Sequence, residues 1–172
     1  DTSFNVFFTG WDANGTASAS TVGIHHPSGD VKSISFNTNA VTSTSYGSDV
    51  VNATANHWRI DDWEDGTTEG GSSGSCLWDA STQRCVGQLH GGTALCTPTA
   101  ESDWYGKLSV SWNGGGTAAT RLSDWLDPDN TGTLAIDGDP HITTLDGTHY
   151  DFQGAGEFVA LRDASGAEIQ VR

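Results

Sequence analysis

Methionine is absent from the 172 residues, proline occurs four times, and Lys and Arg together number seven against 22 Asp and Glu. The shortage of positive charge leaves a formal net charge of −15, which argues against nucleic acid as a partner because phosphates would be repelled. No apolar run approaches the roughly 20 residues of a membrane-spanning helix. No signal-peptide pattern is visible and Asp1 is not Met, so the chain reads as an excised or processed piece of a secreted protein. Helical periodicity is scarce. Only residues 118–126 carry it, with Leu122, Trp125 and Leu126 on one face and Pro128 as the stop.

What is present is glycine, serine and threonine, punctuating short segments such as 5–9, 31–36 and 108–112 that mix β-branched and aromatic residues with polar ones. That texture predicts an all-β chain. The cysteines are three, Cys76, Cys85 and Cys96. No Cys-x-x-Cys pair occurs, which argues against a structural zinc site. Cys76 and Cys85 flank what reads as two strand ends around a turn at 79–82, where a cross-strand disulfide is geometrically reasonable. Cys96 is left over, either as a buried free thiol or, preferably in a secreted chain, with a partner outside this segment.

The texture is continuous to about Asp137. Asp127-Pro128-Asp129-Asn130-Thr131-Gly132 reads as a turn-rich linker, and residues 138–172 as two or three strands opening a new β module. That stretch is about 35 residues, below the length that folds alone without staples, so the module is expected to be incomplete.

The candidate chemistry lies in Gly70-Gly71-Ser72-Ser73-Gly74-Ser75. A serine hydroxyl becomes a useful nucleophile when a base takes its proton and donors receive the developing oxyanion. In Gly-x-Ser-Gly the first glycine turns a backbone N–H toward the substrate carbonyl, and the second lets the chain leave without a Cβ in the way. Gly71 and Ser73 would supply the two oxyanion N–H groups, and Ser73 Oγ would attack. In isolation the same run also describes a plain flexible loop. The neighbours add order: a hairpin, then His90-Gly91-Gly92, Cys96 and Asp103.

This order resembles the second barrel of the chymotrypsin-like fold, and most closely that of bacterial lysyl endopeptidases. The resemblance covers residues 4–137. It is carried by Gly10-Trp11-Asp12, Gly23-Ile24-His25-His26-Pro27-Ser28-Gly29-Asp30, Lys32-Ser33-Ile34-Ser35, Thr68-Glu69-Gly70-Gly71-Ser72-Ser73-Gly74-Ser75 and Val86-Gly87-Gln88-Leu89-His90-Gly91-Gly92. Trp112-Asn113-Gly114-Gly115-Gly116 and Arg121-Leu122-Ser123-Asp124-Trp125-Leu126 complete it as a last strand and C-terminal helix.

The resemblance implies a six-stranded Greek-key barrel closed by that helix. It implies a trypsin-like serine endopeptidase cleaving peptide or protein substrates, by preference after Lys, with no cofactor. Ser73 would be the nucleophile, Asp103 the carboxylate at the base of the specificity pocket, and His90 and Gly91 part of the strand that pairs with substrate. A solvated loop aspartate is the alternative for Asp103. His25 and His26 are implied not to be the general base, and for them and His90 a hydrogen-bonded structural role is the simpler expectation. His57 has no implied role. The general-base His and its Asp would come from an upstream barrel, the missing partner of this one, and the counterpart of Cys96 bonds a cysteine near the mature N-terminus. A protease-like domain that has lost catalysis and serves adhesion or binding is the competing reading.

The segment 138–172 resembles the opening of a von Willebrand factor type D domain, through Gly138-Asp139-Pro140-His141-Ile142-Thr143-Thr144-Leu145-Asp146-Gly147, Tyr150-Asp151-Phe152-Gln153-Gly154 and Gly156-Glu157-Phe158-Val159. Gly156 stands where many members of that family have a disulfide cysteine. Asp146 matches a position that ligates calcium in some of them, with the remaining ligands further on.

Overall fold

The computed structural model describes residues 10–96 and 102–127 in full, and the backbone of short strands within 141–171. The chain divides into two compact units, the larger spanning Thr9–Leu134. In the smaller unit, β8 (His141–Thr143) pairs antiparallel with β9 (His149–Asp151), and β10 (Phe158–Arg162) with β11 (Glu168–Val171).

The larger unit is all-β, as expected. Its strands are β1 (Thr21–His25), β2 (Ser33–Asn37), β3 (Thr42–Thr44), β4 (His57–Ile60), β5 (Cys76–Asp79), β6 (Cys85–Gly92) and β7 (Asp103–Lys107). They form one antiparallel sheet in the order β2-β1-β5-β6-β7-β4-β3. Residues 38–41 alone join the edge strands β2 and β3, so the two edges are drawn together and the sheet curls into a barrel. The six strands expected become seven, and between β2 and β3 Asn37 Nδ2 donates to Thr21 Oγ1 and to the Asn39 carbonyl.

Val41, Trp58, Ile60, Trp63, Leu77, Val86, Leu89, Ala94 and Tyr105 make the apolar core. Burying each of the large ones contributes roughly 1.5–3 kcal/mol. The β1–β2 hairpin departs from this pattern. Thr21, His25, Ser35 and Asn37 point inward, while Ile24, Ile34 and Phe36 lie on the outside. One end of the barrel interior is therefore polar, and the candidate site is built there.

Two local expectations change. Residues 108–112, read as strand, form α1 (Leu108–Asn113). Leu108 and Trp112 are four apart, so a helix puts them on one face. Leu108 is buried there and Trp112 packs on Trp11, ring centroids 5.6 Å apart. Gly114 ends the helix at φ +47°, pressed against the Thr120 backbone where no Cβ fits. Trp112-Asn113 is accordingly the end of a helix and not a last strand.

The helix expected over 118–126 shrinks to α2 (Ser123–Leu126). Thr120 Oγ1 is taken up by Gly115 N–H and the Thr117 carbonyl, local bonds that compete with helix. Trp125 is exposed, its Nε1 donating to the Ala118 carbonyl. The 5–9 segment lies outside the described residues.

Cys76 and Cys85 are disulfide-bonded across the start of the β5–β6 hairpin, with Cα atoms 5.8 Å apart. Asp79 sets the turn: its Oδ1 accepts from Ser81 and Thr82 N–H. Burial works to raise that carboxyl, but hydrogen bonds from the Ser81 hydroxyl, the Thr82 N–H and the Ser18 and Thr82 hydroxyls hold it down at about 2. Cys96 is free and exposed, so it is not the buried thiol of one reading.

Candidate active site

Residues 61–75 run from β4 to β5, and Ser73 sits exposed near the end of this loop. The backbone around it is pinned on both sides. Ser72 N–H donates to the Glu69 carbonyl (3.0 Å), Ser75 N–H to that of Ser72 (3.2 Å) and Gly74 N–H to that of Leu89 (2.8 Å). Leu89 N–H returns a bond to the Ser75 carbonyl. Amid this bonding, the N–H groups of Gly71 and Ser73 carry no hydrogen bond among the described residues. Gly71 has φ +98°, and a Cβ on it would press on Gly29 N and His26 O, so both conformation and space demand glycine.

Asp103 is 1 % exposed at the head of β7. It is therefore not the solvated loop aspartate of the alternative reading. Its Oδ2 accepts from Trp63 Nε1 (2.8 Å) and Thr68 Oγ1 (2.6 Å), so it is better satisfied than an unpaired pocket carboxylate. Both donors are neutral. The ion pairs among the described residues are Arg59–Asp61 and Arg121–Asp124, leaving Asp103 without a cation. Burial pushes its carboxyl above the usual range, against the two hydrogen bonds and the pull of His25. Gly92 pairs with Asp103 across the sheet, and a Cβ there would collide with Asp103 Oδ1 and the Ser102 carbonyl.

His90 is exposed on β6, at the irregularity between Leu89 and Gly91 in the pairing with β7. Tyr46 stacks on its ring, centroids 3.9 Å apart, and the Tyr46 hydroxyl closes over Gly91. His90 Nδ1 lies 2.9 Å from His57 Nε2, and His57 Nδ1 lies 2.7 Å from Asn56 Oδ1. With Asn56 Oδ1 accepting, His57 is protonated at Nδ1 and its Nε2 accepts from His90. Burial, then the charges of His90 and Lys107, hold His57 below the ordinary imidazole range.

The other described histidines are engaged elsewhere. His26 Nδ1 meets the Asp30 carbonyl at 3.1 Å. His25 is buried between two hydroxyls, Nδ1 3.0 Å from Ser72 Oγ and Nε2 2.9 Å from Ser35 Oγ. Among the described residues no histidine hydrogen-bonds Ser73. The structure thus brings Asp103, Thr68 and Trp63 together in one buried cluster, His25, Ser35 and Ser72 in another under the Ser73 loop, and the exposed His90 and Tyr46 over the buried His57.

Sequence reasoning did not single out Trp63, Tyr46, Ser35 or Gly92. The second glycine of Gly91-Gly92, directly after an apolar strand, was the available signal for close approach. No group of three or more His, Cys, Asp or Glu among the described residues could hold a metal ion. Asp146 lies outside the residues described in full.

The family described as lysyl endopeptidase, C-terminal domain, matches residues 1–106. A lysyl endopeptidase of Pseudomonas aeruginosa is 37% identical over 107 residues, which cover 58% of this chain and 21% of that protein. The chain therefore spans about a fifth of the length of this curated relative.

Proposed function

Because the chain belongs to the lysyl endopeptidase C-terminal domain family, we propose that it is the nucleophile-bearing barrel of a serine endopeptidase that cleaves after lysine. The observation that carries this reading is the pair of unbonded N–H groups, Gly71 and Ser73, on a pinned loop beside the exposed Ser73 hydroxyl. Ser73 Oγ attacks the scissile carbonyl, its proton passes to a general base, and the two amides receive the oxyanion. The base then protonates the departing amine, and water releases the acyl group by the same route. No cofactor enters.

The described histidines are tied to other partners, which supports a base and its orienting carboxylate from an upstream barrel of the same polypeptide. Asp103 selects the substrate. Its buried charge has only neutral donors, and a lysine ammonium supplies the missing counter-charge. Arginine, larger and less easily accommodated, is cleaved more slowly. His90 and Gly91 flank the extended substrate. The Cys76–Cys85 disulfide supports an oxidising, extracellular setting, and no helix among the described residues is long and apolar enough to cross a membrane. The exposed Cys96 thiol is offered to a cysteine in the upstream segment. The segment from Gly138 onward opens a von Willebrand factor type D module, on the residues quoted above.

The test is cleavage of a peptide library by the full-length polypeptide. Cleavage after Lys, slower after Arg and abolished by Ser73→Ala, is the expected result. Absence of any cleavage, with binding to surface proteins retained, would favour an adhesion protein with a protease-like domain.

A further inference from the structure

Beneath the Ser73 loop lies a buried histidine that the reaction itself does not use. His25 is 2 % exposed and both ring nitrogens are engaged, Nδ1 with Ser72 and Nε2 with Ser35. Ser72 is fully enclosed and immediately precedes Ser73. The turn that follows His25 holds the same loop from outside. Ser28 N–H donates to the Gly70 carbonyl (2.7 Å) and Ser28 Oγ to Glu69 Oε2 (2.8 Å), while Gly71 packs on His26 and Gly29. One short stretch of chain, 25–29, therefore grips 69–72 both through its backbone and through a buried side chain.

We propose that His25 is a positioning residue, which by holding Ser72 in the barrel interior aims the Gly71 and Ser73 N–H groups at the developing oxyanion. The inference rests on the reading of Ser73 as nucleophile and adds a residue to it. The ring works as a neutral spacer of fixed polarity. Burial holds it below the ordinary imidazole range, outweighing the opposing pull of Asp103. Ser72 Oγ accepts from Glu69 N–H at 3.4 Å, which leaves the Ser72 hydroxyl proton for His25 Nδ1. His25 then carries its own proton on Nε2 and donates to Ser35 Oγ. Ser72 is thus oriented by a donor on one side and an acceptor on the other, and its backbone N–H and carbonyl are locked into the turns that flank Ser73. A misaimed oxyanion donor costs turnover more than substrate binding.

Two amide side chains separate this role from simple packing. Asn can place its oxygen where Nδ1 stands and keep the Ser72 bond, whereas Gln reaches the Nε2 position and keeps the Ser35 bond instead. In the full-length polypeptide, His25→Gln and Ser72→Ala are each expected to lower kcat about ten- to hundredfold with KM within about twofold. His25→Asn should retain most of the activity, and the His25→Gln/Ser72→Ala double variant should be no worse than either single one. Independently of turnover, hydrogen exchange of the 69–75 amides should quicken in His25→Gln and not in His25→Asn. Asn and Gln variants with equal kcat and equal loop protection, or additive losses in the double variant, would overturn the assignment. Ser73→Ala is measured alongside. If it retains turnover, the nucleophile reading fails and this inference with it. If turnover depends on Ser73 while the His25 pair behaves alike, only the inference fails.

Discussion

Replacing Asp103 by Asn removes one charge and almost no volume. The carboxylate is 1 % exposed and its Oδ2 serves Trp63 and Thr68. The Asn carbonyl can take over both bonds. For a lysine substrate the change deletes one partner of a buried ion pair, which costs about 3–5 kcal/mol. At about 1.4 kcal/mol per decade this is a fall of roughly two to four orders of magnitude in kcat/KM. A norleucine substrate of similar length should change by less than about threefold.

Stability should move the other way. Burial outweighs the hydrogen bonds and raises the folded carboxyl's pKa above the ordinary carboxylate range. With the folded pKa raised, the carboxyl's favourable contribution is complete below the unfolded value and is lost as pH rises through the folded one. At pH 7 the charge is therefore a net liability in the free protein, and Asp103→Asn should unfold at equal or higher urea concentration. Steady-state kinetics on matched Lys and norleucine peptides, together with urea unfolding at pH 7, test both halves. Equal loss on both peptides, or a variant less stable at pH 7 by more than about 1 kcal/mol, would refute the reasoning and make Asp103 a structural residue.

Three further outcomes follow from the barrel. Cys76→Ala/Cys85→Ala opens a loop whose ends are nine residues apart. Chain entropy for a loop of that size gives a loss of about 2.5–3 kcal/mol, read by denaturant unfolding, and a loss under about 1 kcal/mol would mean that strand pairing and the Asp79 turn already restrain this loop without the disulfide. Gly87→Ala places a Cβ 2.8 Å from the Gly106 carbonyl on the paired strand. It should destabilise by about 1–3 kcal/mol, and an unchanged melting temperature would contradict the close approach of β6 and β7. His25 is held neutral by burial. Because its folded pKa is depressed below the 6.5 of the unfolded chain, the associated stability is complete above pH 6.5 and lost as pH falls toward the folded value. Unfolding at pH 7.5 and 5 should show a steeper acid loss for the wild type than for His25→Asn, and parallel losses would sink the claim.

The parts of this architecture legible in the sequence are those where chemistry constrains the backbone. Gly71 and Gly74 bracket Ser73 because the turn needs φ of +98° and +86°, and the Gly-x-Ser-Gly pattern records that need directly. The spacing of Cys76 and Cys85 around a turn likewise fits a hairpin, whose paired strands bring them within bonding distance. The facing of β1 and β2 was not legible. Alternation alone would put Ile24, Ile34 and Phe36 inside, yet the interior here is a hydrogen-bonded cluster of Thr21, His25, Ser35 and Asn37. The 108–113 segment misled for a related reason. Its mixture of Val, Leu and Trp suits a strand, and only the four-residue spacing of Leu108 and Trp112 points to the helix that contact with Trp11 stabilises. The neutral donors that satisfy Asp103 come from 40 and 35 residues away in sequence, a distance over which no local pattern carries information.

The central claim, that Ser73 is an activated nucleophile, is tested most directly by mass spectrometry of the full-length polypeptide after exposure to a lysine-mimicking diphenyl phosphonate. The account predicts one stoichiometric adduct on the peptide containing Ser73, absent in Ser73→Ala and absent when residues 1–172 are made alone, because no described histidine reaches that hydroxyl. An adduct on another residue, or labelling that persists in Ser73→Ala, would contradict it.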